Sequence, residues 1–208
     1  MRLIATTAPA ASGRSAAGIG RSIARTVAFG EHTADAGVRA LALDIAGSHG
    51  AVGKVHSAGT WQCPAAHTQL AETLGDPLGH ALRPGFEWYY CRGAFFHNDA
   101  HYDARLFGVW CIVAPPMELV FPRTDVRVAI APGRIVVFDP FEVHGVLAPG
   151  RTTYAASDYE SANPSVFLGF ELDITPTVAE VFDIRDRIDP GAVISSQTRI
   201  DATSGKIA

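Results

Sequence analysis

Phe95-Phe96-His97-Asn98-Asp99-Ala100-His101-Tyr102-Asp103 decides how the rest of the chain is read. His97 and Asp99 lie two positions apart, so on an extended strand both side chains leave the same face. Downstream, Phe138-Asp139-Pro140-Phe141-Glu142-Val143-His144-Gly145 supplies another histidine just beyond the apolar run Ile135-Val136-Val137-Phe138. Two imidazoles and one carboxylate on one side of a metal leave adjacent positions open, the donor set suited to ferrous iron and dioxygen. His101 and Asp103 repeat the spacing, but the next strand begins near Arg105 and leaves Asp103 little chain for a turn, so His97 and Asp99 are preferred. His32, His49, His56, His67 and His80 fall in helical or loop stretches without matching partners.

Around this pair the chain is rich in short β-like runs, at 87–97, 105–113, 118–121, 126–130, 135–138, 143–147, 152–156 and 166–174. Turns such as Pro115-Pro116, Pro132-Gly133 and Pro149-Gly150 separate them, and no helical pattern intervenes. That order favours an antiparallel fold over a parallel sheet. The expected fold is mainly β with flanking helices, a double-stranded β-helix (jelly roll, cupin-like).

Before the β-rich half, Ala34, Val38, Leu41, Leu43 and Ile45 give helical spacing over 31–46, with Thr33 as a candidate cap and Gly47 as a stop. Pro64 opens a helix that runs to Leu74, and Gly75 ends it. Segment 22–29 offers a strand, 49–63 is Gly-rich without a period, and 1–20 reads as a loose start. A helix is possible over 178–188. The expectation is one domain over 1–208: flanking helices in 1–85, a jelly-roll core in 86–174 and a covering segment in 175–208.

The 208 residues are 48% apolar and 18% charged, which suits a packed, turn-rich domain and excludes disorder. A net charge of −4 offers no field for nucleic acid or an anionic membrane. Cys63, Cys91 and Cys111 are odd in number and widely spaced, so neither a disulfide framework nor a Cys-x-x-Cys zinc site is expected. A reducing, cytoplasmic compartment follows. Residues before Glu31 carry Arg2, Arg14, Arg21 and Arg25 without an acid, a transit-like composition that an ordinary surface segment also explains.

A 2-oxo acid chelating iron would leave its far carboxylate in the barrel, where a planar guanidinium grips it with two hydrogen bonds. Arg151 is the candidate, with Tyr154 as a neighbouring hydroxyl donor. A turn-flanking surface arginine is the alternative, with Arg92, Arg105, Arg123 and Arg127 as other anchors. Tyr102, Trp110 and Trp88 are candidate pocket residues, with Trp61 and Tyr90 behind them, although each aromatic also suits a core.

His97-Asn98-Asp99, the run Pro132-Gly133-Arg134-Ile135-Val136-Val137-Phe138, His144 and Arg151 together resemble the Fe(II)/2-oxoglutarate-dependent oxygenase superfamily, near its prolyl-hydroxylase-like and phytanoyl-CoA-hydroxylase-like branches. The resemblance spans about residues 86–174. It implies iron, 2-oxoglutarate and dioxygen as requirements, succinate and carbon dioxide as co-products, and oxidation of a C–H bond. A small-molecule substrate is expected. The competing reading is a cupin-like binding protein, isomerase or hydrolase with the same three ligands and no oxo acid.

Overall fold

The computed structural model describes residues 2–4, 22–48, 50–99, 101–102, 104–185 and 199–207. The N-terminal part holds β1 (Arg2–Ile4), β2 (Val27–Glu31), α1 (Ala36–Ala46), β3 (Val55–Trp61), α2 (Pro64–Leu74) and α3 (Leu78–Ala81). Then follow β4 (Phe86–Cys91), β5 (Ala94–His97), β6 (Arg105–Val113), β7 (Met117–Phe121) and β8 (Val126–Ile130). Next come β9 (Arg134–Phe138), β10 (His144–Leu147), β11 (Ser165–Asp173) and α4 (Pro176–Val181).

The strands form a seven-stranded sheet in the order β1-β2-β9-β6-β11-β4-β3 and a four-stranded sheet in the order β5-β10-β7-β8. Every named pairing is antiparallel. Alternation sorts the larger sheet into two faces. Leu106, Trp110, Ile135, Leu168 and Phe170 face the helices and pack on Val38, Ala42, Leu70 and Leu74. The opposite face meets the smaller sheet through Val136, Phe138, Leu119, Val128 and Val146. A third cluster, Phe96, Val120, Phe141, Val143 and Leu147, lies on the outside of the smaller sheet. There the hairpin over 199–207 covers it, closed by an Ile200–Ile207 bridge and joined to β5 by Phe96 N donating to the Ala202 carbonyl at 2.9 Å.

Several expectations need correction. The run 87–97 is two strands in different sheets, parted at Gly93, whose φ of 65° serves the corner. A Cβ there would come within 2.7 Å of the Tyr159 ring, so the corner has no room for a side chain. Segment 152–156 forms no strand; its backbone turns to the C-terminal hairpin, with Tyr154 N donating to the Thr203 carbonyl at 2.8 Å, and a 3-10 turn follows at Ala156–Asp158. The Gly-rich stretch 49–63 contains β3, an edge strand so exposed that no buried alternation marks it. Helix α1 begins after Asp35, whose carboxylate accepts from Val38 N at 2.8 Å, so Asp35 rather than Thr33 is the cap. Helix α2 keeps the expected bounds, α4 stops at Val181, and most of 1–20, with 186–188, lies outside the described residues. No helix among the described residues is long and apolar enough to cross a membrane.

Because Leu168 is fully buried between sheet and helices, Leu168→Ala should cost about 2–5 kcal/mol in urea denaturation. Leu41→Ala on the solvent side of α1 should change stability by less than about 0.5 kcal/mol.

Candidate metal centre

Strands β5 and β10 pair so that His97 and His144 stand directly opposite each other, with ring centroids 4.5 Å apart. Asp99 follows two residues after His97, where its N–H donates to the Pro140 carbonyl at 2.8 Å. Its carboxylate oxygens lie 3.6 Å from His97 Nε2 and 3.4 Å from His144 Nε2. One ligand atom from each of the three residues falls within 4.8 Å of the others.

The backbone fixes both tautomers. His97 Nδ1 lies 2.8 Å from the Phe95 carbonyl, and His144 Nδ1 lies 2.8 Å from the Glu142 carbonyl. A carbonyl only accepts, so each Nδ1 carries a proton, and Nε2, the nitrogen that bears the lone pair in a neutral ring, is turned toward Asp99. Metal-binding histidines are held in this manner, and the donor set fits a divalent cation.

Burial lowers the His97 pKa below the ordinary imidazole value, the His144 ring adds to this, and Asp99 opposes it. Burial alone would raise Asp99, but the neighbouring imidazoles outweigh it and hold the carboxyl below its ordinary value. Both shifts favour the deprotonated, ligating forms. A depressed histidine pKa contributes stability above the ordinary imidazole value that is lost as pH falls, so the metal-free protein should lose stability on acidification through about pH 6. Histidine-resolved NMR titration should place His97 below the reference value of about 6.5.

Behind His144 lies a buried charge pair. Glu142, 2% exposed, accepts from Arg123 Nη1 at 3.1 and 3.0 Å. Burial outweighs the arginine and pushes the carboxyl up to about 7. Asp139 accepts from Ala24 N at 2.9 Å and Phe141 N at 3.1 Å, tying the segment before β2 to the loop that presents His144.

The triad borders a cavity of about 250 Å³ between the sheets, walled by Leu119, Val136, Phe138 and Val146. Tyr102 and His101 line it, while Asp103 lies outside the described residues. Tyr89 and Phe107 were missed, although Tyr89 Oη lies 3.4 Å from Tyr102 Oη. The residues expected instead, Trp88 and Trp110, belong to the helix-side core, and Trp110 Nε1 donates to the His32 carbonyl at 2.8 Å. Tyr90 and Trp61 pack on that same core. Strand parity accounts for the difference: Tyr89 and Cys91 face the cavity and Glu87 a space beside it, while Trp88 and Tyr90 face the helices. Glu87 and Glu171 could have marked the inner face, because the other face of both strands is apolar throughout.

The expected carboxylate anchor is also corrected. Arg151 is 58% exposed at its turn and pairs with Asp158 at 2.8 Å, and Tyr154 stacks on Tyr159, so neither lines the cavity. Arg92 donates to the Gly50 and Glu160 carbonyls, while Arg105, Arg123 and Arg127 pair with Glu171, Glu142 and Glu118. Among the described residues no lysine or arginine lines the cavity.

Arg123→Ala would leave Glu142 buried without its guanidinium, at a cost of about 3 kcal/mol at pH 8. The raised carboxyl is neutral below its folded pKa, so the same substitution should cost less at pH 5, as paired denaturation curves would show.

No family model matches the chain, and no curated protein matches it. Among solved structures it is similar to a Pseudomonas putida prolyl-4-hydroxylase, at 19% identity over 72% of this chain and 93% of that chain, with a TM-score of 0.40. It is also similar to the non-heme alpha ketoglutarate dependent epimerase SnoN from nogalamycin biosynthesis, at 16% identity over 79% of this chain and 85% of that chain, with a TM-score of 0.37. The His97, Asp99 and His144 group sits on the paired strands β5 and β10 and the residues just after β5, beside the cavity between the two sheets.

Proposed function

We propose that the chain is a non-heme Fe(II)-dependent oxygenase of the 2-oxoglutarate-using type that oxidises a C–H bond of a small molecule. The observation that carries this reading is the convergence of two oriented imidazole nitrogens and one carboxylate at one cavity wall. His97 Nε2, His144 Nε2 and the Asp99 carboxylate would hold the metal. Bound iron would supply the redox chemistry by which dioxygen is activated with electrons from a 2-oxo acid. Phe138 and Phe107 keep water from the triad's cavity side. The division of strands, with β4, β6, β9 and β11 in one sheet and β5, β7, β8 and β10 in the other, supports a double-stranded β-helix.

For 2-oxoglutarate the site gives a mixed fit. The far carboxylate would meet the hydroxyls of Tyr89, Tyr102 or Ser165 and no guanidinium. That same wall favours a second reading, in which the three ligands hold iron, zinc, manganese or nickel in a cupin-like protein that needs no 2-oxoglutarate. Free Cys63, Cys91 and Cys111 support a reducing, cytoplasmic setting, and burial pushes both Cys91 and Cys111 up to about 12, away from thiolate chemistry. The net charge of −4 supports a partner other than nucleic acid.

Anaerobic titration of the Fe(II)-loaded chain with 2-oxoglutarate should develop a weak visible charge-transfer band. Metal binding without that band would select the second reading. Alanine at His97, Asp99 or His144 should weaken iron binding by about 100-fold or more, and unchanged affinity would remove the residue from the centre. Affinity should also fall as the imidazoles protonate; binding that persists undiminished to about pH 4 would exclude them as ligands.

A further inference from the structure

We propose that a polar groove adjoining the metal-side cavity binds the cationic end of an amine- or guanidine-bearing substrate, with Glu87 as its counter-ion. The groove has a volume of about 230 Å³ and shares Tyr89, Tyr102 and Phe107 with that cavity, so these three rings stand between the two spaces. Its floor is the inner face of β11 at Gly169. A Cβ at that position would lie 2.5 Å from Tyr89 Cε2 and 2.9 Å from Phe107 Cζ, so the bare backbone lets both rings lie against the sheet and keeps the groove open.

Charge chooses the ligand. Arg83 and Glu171 line the groove but are spent on each other's surroundings: Glu171 pairs with Arg105 and with Arg83 at 3.5 Å, and Arg83 also donates to Asp173 at 2.9 Å. Glu87 is different. Its carboxylate accepts from the Ser57 hydroxyl, and among the described residues no cation pairs with it. One hydroxyl fills part of a carboxylate's accepting capacity and cancels none of its charge. A ligand ammonium or guanidinium would complete both, through a charge-assisted bond, with Thr60 and Gln62 offering further acceptors. A carboxylate ligand would be repelled at the same point.

An apolar stem could then pass the tyrosine pair toward the apolar cavity. Which end of the ligand reacts rests on the metal reading above; recognition of the cation does not.

The test is equilibrium binding of phenethylamine, 2-phenylethanol and 3-phenylpropanoate to the full chain, both metal-free and anaerobically Fe(II)-loaded. The amine should bind about ten-fold or more tightly than the alcohol, and the acid most weakly. Glu87→Gln should abolish that preference while leaving the thermal midpoint and iron affinity unchanged. Equal affinities, a preference for the acid, or an amine preference that survives E87Q would overturn the assignment. An amine preference in a chain that fails to bind iron would strike the metal reading and leave the groove's assignment standing.

Discussion

The arrangement depends on one cross-strand pairing. His97 on β5 and His144 on β10 occupy opposed positions, and each ring is turned by a hydrogen bond to the carbonyl two residues before it. Neither imidazole relies on a flexible side-chain partner for its orientation. Asp99 completes the group because the chain leaves β5 along a path anchored to the Pro140 carbonyl, in the loop that leads to His144. The three donors are therefore set by backbone geometry from two segments far apart in sequence. The buried Asp139 and Glu142 interactions hold the second of those segments in place.

Much of this was legible because the chemistry of the triad and the periodicity of its strands coincide. Strands β6 and β8 and helix α2 matched their expected bounds, since alternating or helical apolar spacing and clear Pro or Gly punctuation agreed. Strand β3 was hidden because an exposed edge carries no hydrophobic period. The pocket aromatics failed for a different reason. Large rings on both faces of β4 look alike in sequence, and only the charge of Glu87 marks the face that Tyr89 shares. Arg151 failed because proximity in sequence to His144 does not carry a side chain around a turn and back between the sheets.

The two cavities differ in kind. The space beside the triad is walled mostly by aliphatic and aromatic groups, where an unpaired charge would be costly. The adjoining groove carries acids, a guanidinium and amide and hydroxyl groups, and retains contact with solvent. A ligand that spans both would be divided between an apolar portion and a polar one, and Tyr89 and Tyr102, each with a ring and a hydroxyl, suit the boundary.

The hairpin over 199–207 has a consequence for the strand it touches. β5 is a boundary strand of the smaller sheet, and its Phe96 amide is engaged by Ala202 rather than left open. Clipping that appendage would strip cover from Phe96 and free its main-chain amide beside His97. Wear at the tail would thus reach the imidazole without touching any residue of the cavity.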